Sequence, residues 1–141
     1  MTIRETAVML HAELLQDDFE DAPLTGAYTS DLLSDVMANA KEGGALITIQ
    51  AHKNTVAVAT LANISAIILC NNRHVQDNEM LEAAKEEGIA VMRSRENQFI
   101  VSGKPFLCMD SILRDSAKDI GLAPQLVKIR ASLGILPTFS T

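Results

Sequence analysis

Tryptophan is absent from this 141-residue chain, and the aromatic side chains amount to four Phe and one Tyr. The core must therefore come from Ala, Val, Ile, Leu and Met. The stacking platforms on which single-stranded nucleic acids are held are also missing. Basic residues are outnumbered, 12 against 18 acidic, and the net charge of −6 excludes nonspecific binding to a phosphate backbone. The two cysteines, Cys70 and Cys108, form no CxxC pair and no metal motif with His11, His52 and His74. No window is apolar enough to span a membrane. Met1 leads directly into Arg4 and Glu5 with no apolar leader, so a cytoplasmic protein is expected.

What is present is a chain 48% hydrophobic, long enough to bury a core without disulfide or metal support. Its charge is uneven. Residues 1–101 hold 7 basic and 15 acidic side chains, net −8, and residues 102–141 hold 5 and 3, net +2. Chance and a mixed-charge helix account for this asymmetry as well as a contact between the tail and the acidic body does.

Hydrophobic periodicity and punctuation give an α/β order. Thr2 and Glu5 form a capping box that starts a helix over 3–10, and a short strand, AELLQ, follows. The acidic DDFEDAP is a loop, and LTGAYTS is a second strand with Gly26 at a close approach or bulge. Ser34 is the expected N-cap of the next helix, which Gly43 or Gly44 stops. ALITIQ is a strand. NTVAVATLAN, capped by Asn54, is assigned as a helix because it lies between two strands, although its propensity is strand-like. SAIILC is a strand buried on both faces. DNEMLEAAKEEG is a helix capped by Asp77, with Met80, Leu81 and Ala84 inward and Gly88 as its stop. IAVMRS is a strand, and ENQFIVSGK supplies one or two helical turns. The fold class predicted is α/β, a mostly parallel central sheet with flanking helices. Met9, Met37, Met80, Met92 and Met109 are expected as core filler. One domain with an appendage is expected, an α/β body over 1–104 and a C-terminal helical extension over 105–141. The extension would carry helices at 110–121 and 123–134, docked on the sheet or serving as a dimerisation arm.

The stretch PLTGAYTSDLLSDVMANAKEGGALITIQAHKNTVAVATLANISAIILCNN, continued by NEMLEAAKEEGIAVMRS, resembles the DRTGG-domain family over about the first hundred residues. Its most specific parts are GAYTSDLLSDVMANA and the TIQAHKN turn. Such domains are similar to the N-terminal domain of HPr kinase/phosphorylase. They also occur as inserts in some pyrophosphatases and phosphotransacetylase-type proteins, and stand-alone forms are often encoded beside iron-only hydrogenase genes. The resemblance implies regulation or ligand sensing. Of the name-giving motif only Thr25-Gly26 is kept, within Ala22-Pro23-Leu24-Thr25-Gly26-Ala27. The kinase relatives owe their chemistry to a separate phosphate loop, and no G-x-x-x-x-G-K-[ST] occurs here.

Ligands of an open parallel sheet bind outside the carboxyl ends of its strands. Three loops would gather there: Thr29, Ser30, Asp31, Ser34 and Asp35; Gln50, His52, Lys53 and Asn54; Asn71, Asn72, Arg73 and His74. They offer hydroxyls, amides and cationic groups suited to an anion or a nucleotide phosphate. Helix capping and tight turns would select many of the same residues. Pairings of His52 with Ser30 or Ser34, or of Cys70 with His74, lack the third orienting group of a nucleophilic triad. Asp31 and Asp35, four apart, could share a divalent cation or form a solvated acidic cap.

The sequence therefore predicts a regulatory or ligand-binding domain without enzymatic activity, sensing a nucleotide or phosphorylated metabolite as a homodimer. No cofactor, nucleic acid or membrane partner is expected. The dimer has a motive in NTVAVATLA, which is apolar almost all round. The alternative is an accessory protein of a redox or hydrogenase-related assembly that docks through its C-terminal helices, and a kinase-like enzyme ranks last.

Overall fold

The computed structural model describes residues 1–107. The elements are α1 (Ile3–Met9), β1 (Glu13–Gln16), β2 (Ala27–Thr29), α2 (Leu33–Asn39), β3 (Ala45–Thr48), α3 (Lys53–Leu61), β4 (Ala66–Leu69), α4 (Glu79–Glu87), β5 (Ala90–Arg93) and α5 (Gln98–Leu107). One five-stranded sheet is ordered β1-β5-β4-β3-β2. Strands β2 to β5 are parallel neighbours in chain order, and β1 closes the β5 edge antiparallel. The predicted α/β class with a mostly parallel sheet is the one observed. The helices expected over 110–121 and 123–134 lie outside the described residues.

Strand periodicity decides how the sheet is covered. Successive side chains point to opposite faces, so the apolar runs of β3, β4 and β5 feed two cores. Leu46, Ile67, Leu69 and Val91 pack with Val36 of α2, Val56 and Ala59 of α3, and Met80 and Ala84 of α4. Ala45, Ile47, Ala66, Ile68, Ala90 and Met92 pack with Ile3, Ala7 and Leu10 from the α1 segment and with Val101 of α5. The three crossover helices thus line one face, and the first and last helices line the other. Each fully buried Ile, Leu or Val contributes about 1.5–3 kcal/mol relative to exposure.

The ends of the elements show which local signals held. Thr2 and Glu5 form the capping box, with the Glu5 amide on Thr2 Oγ1 at 3.2 Å and the Thr2 amide on Glu5 Oε1 at 3.0 Å. Gly88 ends α4 in the left-handed region at φ 67°, as expected, while the Asp77 carboxylate accepts the Glu79 amide at 3.0 Å from one residue before the N-cap. Three predicted caps are corrected: α4 starts from Asn78, which makes no side-chain cap bond, rather than from Asp77. Helix α2 starts from Leu32, with no side-chain cap, and Ser34 is its second residue, exposed. Helix α3 starts from His52, whose Nδ1 accepts the Asn54 amide at 3.1 Å, so Asn54 is inside the helix. Helix α2 also ends at Asn39, four residues before the glycines expected to stop it. Gly44 is needed for another reason: a Cβ there would lie 2.9 Å from the Gly26 carbonyl oxygen. Helix α5 is longer than expected, ten residues running through Pro105. Met80 and Met92 are core residues, but Met37 is 53% exposed and fills nothing.

At the antiparallel edge a bulge between Leu14 and Gln16 turns Gln16 inward. Its buried amide is satisfied by donating to the carbonyls of Ile89 at 2.9 Å and Asp18 at 3.1 Å, while its oxygen accepts the Asp18 amide at 2.7 Å.

Candidate functional site

Thr25 and Gly26, the pair that matches part of the DRTGG motif, precede β2 at the amino-terminal end of the sheet. Thr25 donates its hydroxyl to the Glu42 carbonyl at 2.6 Å and its amide to the Gly43 carbonyl at 3.1 Å. The Gly26 carbonyl accepts the Ala45 amide at 2.9 Å. These contacts lock the entry of β2 against the turn into β3. They lie at the other end of the strands from the three polar loops.

At the carboxyl ends, Asp31 is where the chain converges. Its Oδ1 accepts the Thr48 hydroxyl at 2.9 Å, the Ile49 amide at 2.9 Å and the Gln98 amide nitrogen at 3.0 Å. Its backbone carbonyl accepts Gln50 Nε2 at 3.3 Å. One carboxylate therefore joins the β2–α2 loop, the end of β3 and the start of α5. Thr29, the last residue of β2, shares a 2.6 Å hydroxyl–hydroxyl bond with Ser102 of α5. Ser30 donates its amide to the Ile47 carbonyl at 3.1 Å, and its hydroxyl accepts the Leu32 amide at 3.2 Å in a local turn.

The other loops are knitted to β5. Asn71 and Asn72 follow β4 with φ of 57° and 52°, in the left-handed region where Asn is favoured. Their amides donate to the carbonyls of Glu96 at 2.9 Å and Ser94 at 2.8 Å. Arg93, half-buried, binds Glu13 Oε2 at 2.7 Å and His74 Nδ1 at 3.0 Å. Lys53, at the first turn of α3, is bridged to Glu79 at 3.0 Å with both side chains exposed. The side chains of Gln50, His52, Asn54, Asn71, Asn72 and Arg73 face solvent.

Asp35 is drawn away from this cluster. The Tyr28 hydroxyl donates to its two oxygens at 2.9 Å, and Asn39 Nδ2 donates at 2.8 Å. The Ser30 hydroxyl first, then Tyr28 and Asn39, hold its carboxyl below the usual carboxylate range. The same contact raises the Tyr28 phenol. Asp31 and Asp35 are thus each engaged by protein donors. Among the described residues no group of three or more His, Cys, Asp or Glu is arranged to hold a metal ion. Cys70 is fully buried, and desolvation, aided by the Asp31 charge, pushes its thiol up to about 12. A thiol in that state is no nucleophile at neutral pH.

Sequence reasoning passed over Thr48, Gln98, Ser102 and Arg93. Thr48 carried a usable signal, a lone hydroxyl in an apolar strand, and it is fully buried on Asp31. Gln98 and Ser102 carried none, because nothing in their spacing places α5 beside β2 and β3.

This is the architecture of a small α/β domain with its polar loops at one end of the sheet. It is similar to a crystal structure of the CBS and DRTGG domains of the regulatory region of Clostridium perfringens pyrophosphatase, complexed with its activator diadenosine tetraphosphate. The TM-score is 0.58 at 17% identity, over 73% of this chain and 45% of that one, so the chain spans less than half of the structure it matches. The shared property is the DRTGG-like fold. No protein-family model matches the chain, and no curated protein matches it. No helix among the described residues is long and apolar enough to cross a membrane.

Proposed function

We propose that this chain is a regulatory domain that binds a nucleotide or a phosphorylated metabolite at the carboxyl ends of its strands. The observation that carries the reading is the fold likeness to a regulatory region crystallised with a dinucleotide polyphosphate activator. The loop chemistry supports it. His52, Lys53 and Arg73 are exposed cationic or titratable groups beside exposed amides of Gln50, Asn54, Asn71 and Asn72. These groups suit the phosphates and polar edges of a nucleotide. The site belongs to a cytoplasmic homodimer in this reading. Exposed apolar side chains on α2 and α3, Leu32 at 64%, Met37 at 53% and Leu61 at 69%, offer a surface for a second copy.

Calorimetry and thermal-shift measurement with AMP, ADP, ATP and diadenosine tetraphosphate test the ligand. Binding that weakens at least about tenfold in Arg73→Ala is expected, the scale of a lost charged hydrogen bond. A flat response across the panel refutes the reading. Sedimentation tests the dimer, and a monomer at micromolar concentration refutes it.

A second reading, an accessory protein of a redox or hydrogenase-related assembly, draws support from Phe99. This residue is 84% exposed on α5, the helix that leads into the basic C-terminal segment. Loss of partner capture in Phe99→Ser, with the fold intact by circular dichroism, is the result this reading requires.

A further inference from the structure

Asp31 is an anion already seated on a donor set. Three donors from two elements converge on its Oδ1: the Thr48 hydroxyl, the Ile49 amide and the Gln98 side-chain amide. Thr48 is fully buried, and two of its neighbours in the site, Gln50 and Gln98, also reach toward Asp31. Such a set of neutral donors is what a phosphate or carboxylate oxygen seeks in a partly dry site. The same carboxylate holds one end of α5. Helix α5 is fixed to the body by Val101 in the core, by Gln98 on Asp31 and by the Ser102–Thr29 hydroxyl pair. At its start Asn97 caps the Ile100 amide at 3.0 Å, and Phe99 of the first turn faces solvent.

We propose that Asp31 is an internal occupant of the ligand site, and that an incoming anion which displaces it also releases α5. The inference rests on the reading above and adds its regulation. An oxyanion seated on the Thr48 hydroxyl and the Ile49 amide competes with the Asp31 carboxylate, their like charges disfavour joint occupancy, and Gln98, carried by α5, loses its acceptor as Asp31 withdraws. Loss of the Asp31–Gln98 bond frees the amino-terminal end of the helix that leads into residues 108–141. A ligand that binds the released state better shifts the population toward it, by no more than its differential affinity. Binding and α5 docking are then two readouts of one equilibrium.

Amide hydrogen exchange on the full chain tests the latch without any ligand. In Gln98→Ala and Asp31→Ala the amides of residues 99–104 are expected to exchange at least about tenfold faster, while those of β3 and β4 keep their wild-type rates. Unchanged α5 exchange in a folded Gln98→Ala protein overturns the latch. Calorimetry with inorganic phosphate tests the occupancy. Asp31→Ala is expected to bind phosphate at least about tenfold more tightly than wild type, and equal or weaker binding overturns that half. With saturating ATP on the wild type, α5 exchange is expected to rise, and greater protection of α5 overturns the coupling. A wild type that binds no nucleotide, beside an Asp31→Ala protein that binds phosphate, refutes the nucleotide reading and leaves the internal occupant standing.

Discussion

The two faces of the sheet are covered by different means. The crossover face is made by topology: α2, α3 and α4 each connect parallel neighbours, so each is delivered to the same side and held by apolar contacts. The opposite face is made by the two ends of the described chain. Helix α1 is pinned by the capping box, by the Arg4 amide on Asp21 Oδ1 at 3.0 Å and by Arg4 stacked 4.5 Å over Phe19. Helix α5 is held by Val101 in the core and pinned through Asp31 and Thr29. One face thus follows from chain connectivity, and the other adds side-chain clamps to the apolar contacts of Ile3, Ala7, Leu10 and Val101. Clamps of a few hydrogen bonds can be opened one at a time, so the second face is the place to look for regulation.

The sharpest probe of the comparison is Cys70, which lies in the core of the clamped face. A thiol raised from 9.0 to about 12 has about a thousandfold less thiolate near neutral pH. Peptide-resolved alkylation of the native chain should therefore leave Cys70 unmodified while the unfolded chain reacts. Fast native labelling would show that the clamped face opens easily. Next in size are two adjacent core residues on opposite faces, Ile67 and Ile68, both fully buried. Ile67→Ala and Ile68→Ala should each cost about 2–5 kcal/mol in urea unfolding. A much smaller cost for Ile68→Ala would mean that the clamped face relaxes around the cavity. Thr2→Ala should cost about 1 kcal/mol, with the loss of protection confined to α1 amides. An equal loss over α3 would break the distinction between the faces.

The smallest effect is on pH. Glu5, through its bonds with the Thr2 amide and hydroxyl, and Asp35, through Ser30, Tyr28 and Asn39, both have lowered pKa values in the folded chain. Their stabilisation is present above the unfolded values, near 4.5 and 3.8, and is lost as pH falls through the lower folded values. Acid unfolding followed by circular dichroism should shift toward neutral pH in Glu5→Gln and Asp35→Asn, and an unmoved acid limb would contradict these pairings.

Much of the fold could be read from residues because its signals are local. The capping box of Thr2 and Glu5, Gly88 at positive φ and the apolar runs of β3 and β4 each state their structure within a few positions. Helix starts were harder. His52 caps α3 through a ring nitrogen, a role its residue type rarely signals, and Asn54 beside it was the stronger statistical candidate. The three polar loops could be grouped in advance by the rule for parallel sheets. The role of Asp31 could not, because its partners Thr48 and Gln98 are 17 and 67 residues away. The polarity of Thr29-Ser30-Asp31, which capping does not require, is explained by tertiary contacts with β3 and α5.

The strand order has a kinetic consequence. Strands β2 to β5 are neighbours in sequence and in space, so their contacts close short loops. Strand β1 must find β5 across the whole body, with Glu13 opposite Arg93 and a bond between them spanning 80 positions. Loop closure over that separation is the slowest step that contact order predicts. The four parallel strands form the nucleus in this scheme, and the amino-terminal segment with its antiparallel strand zips on last. Substitutions in β1 should then speed unfolding and leave the refolding rate nearly unchanged.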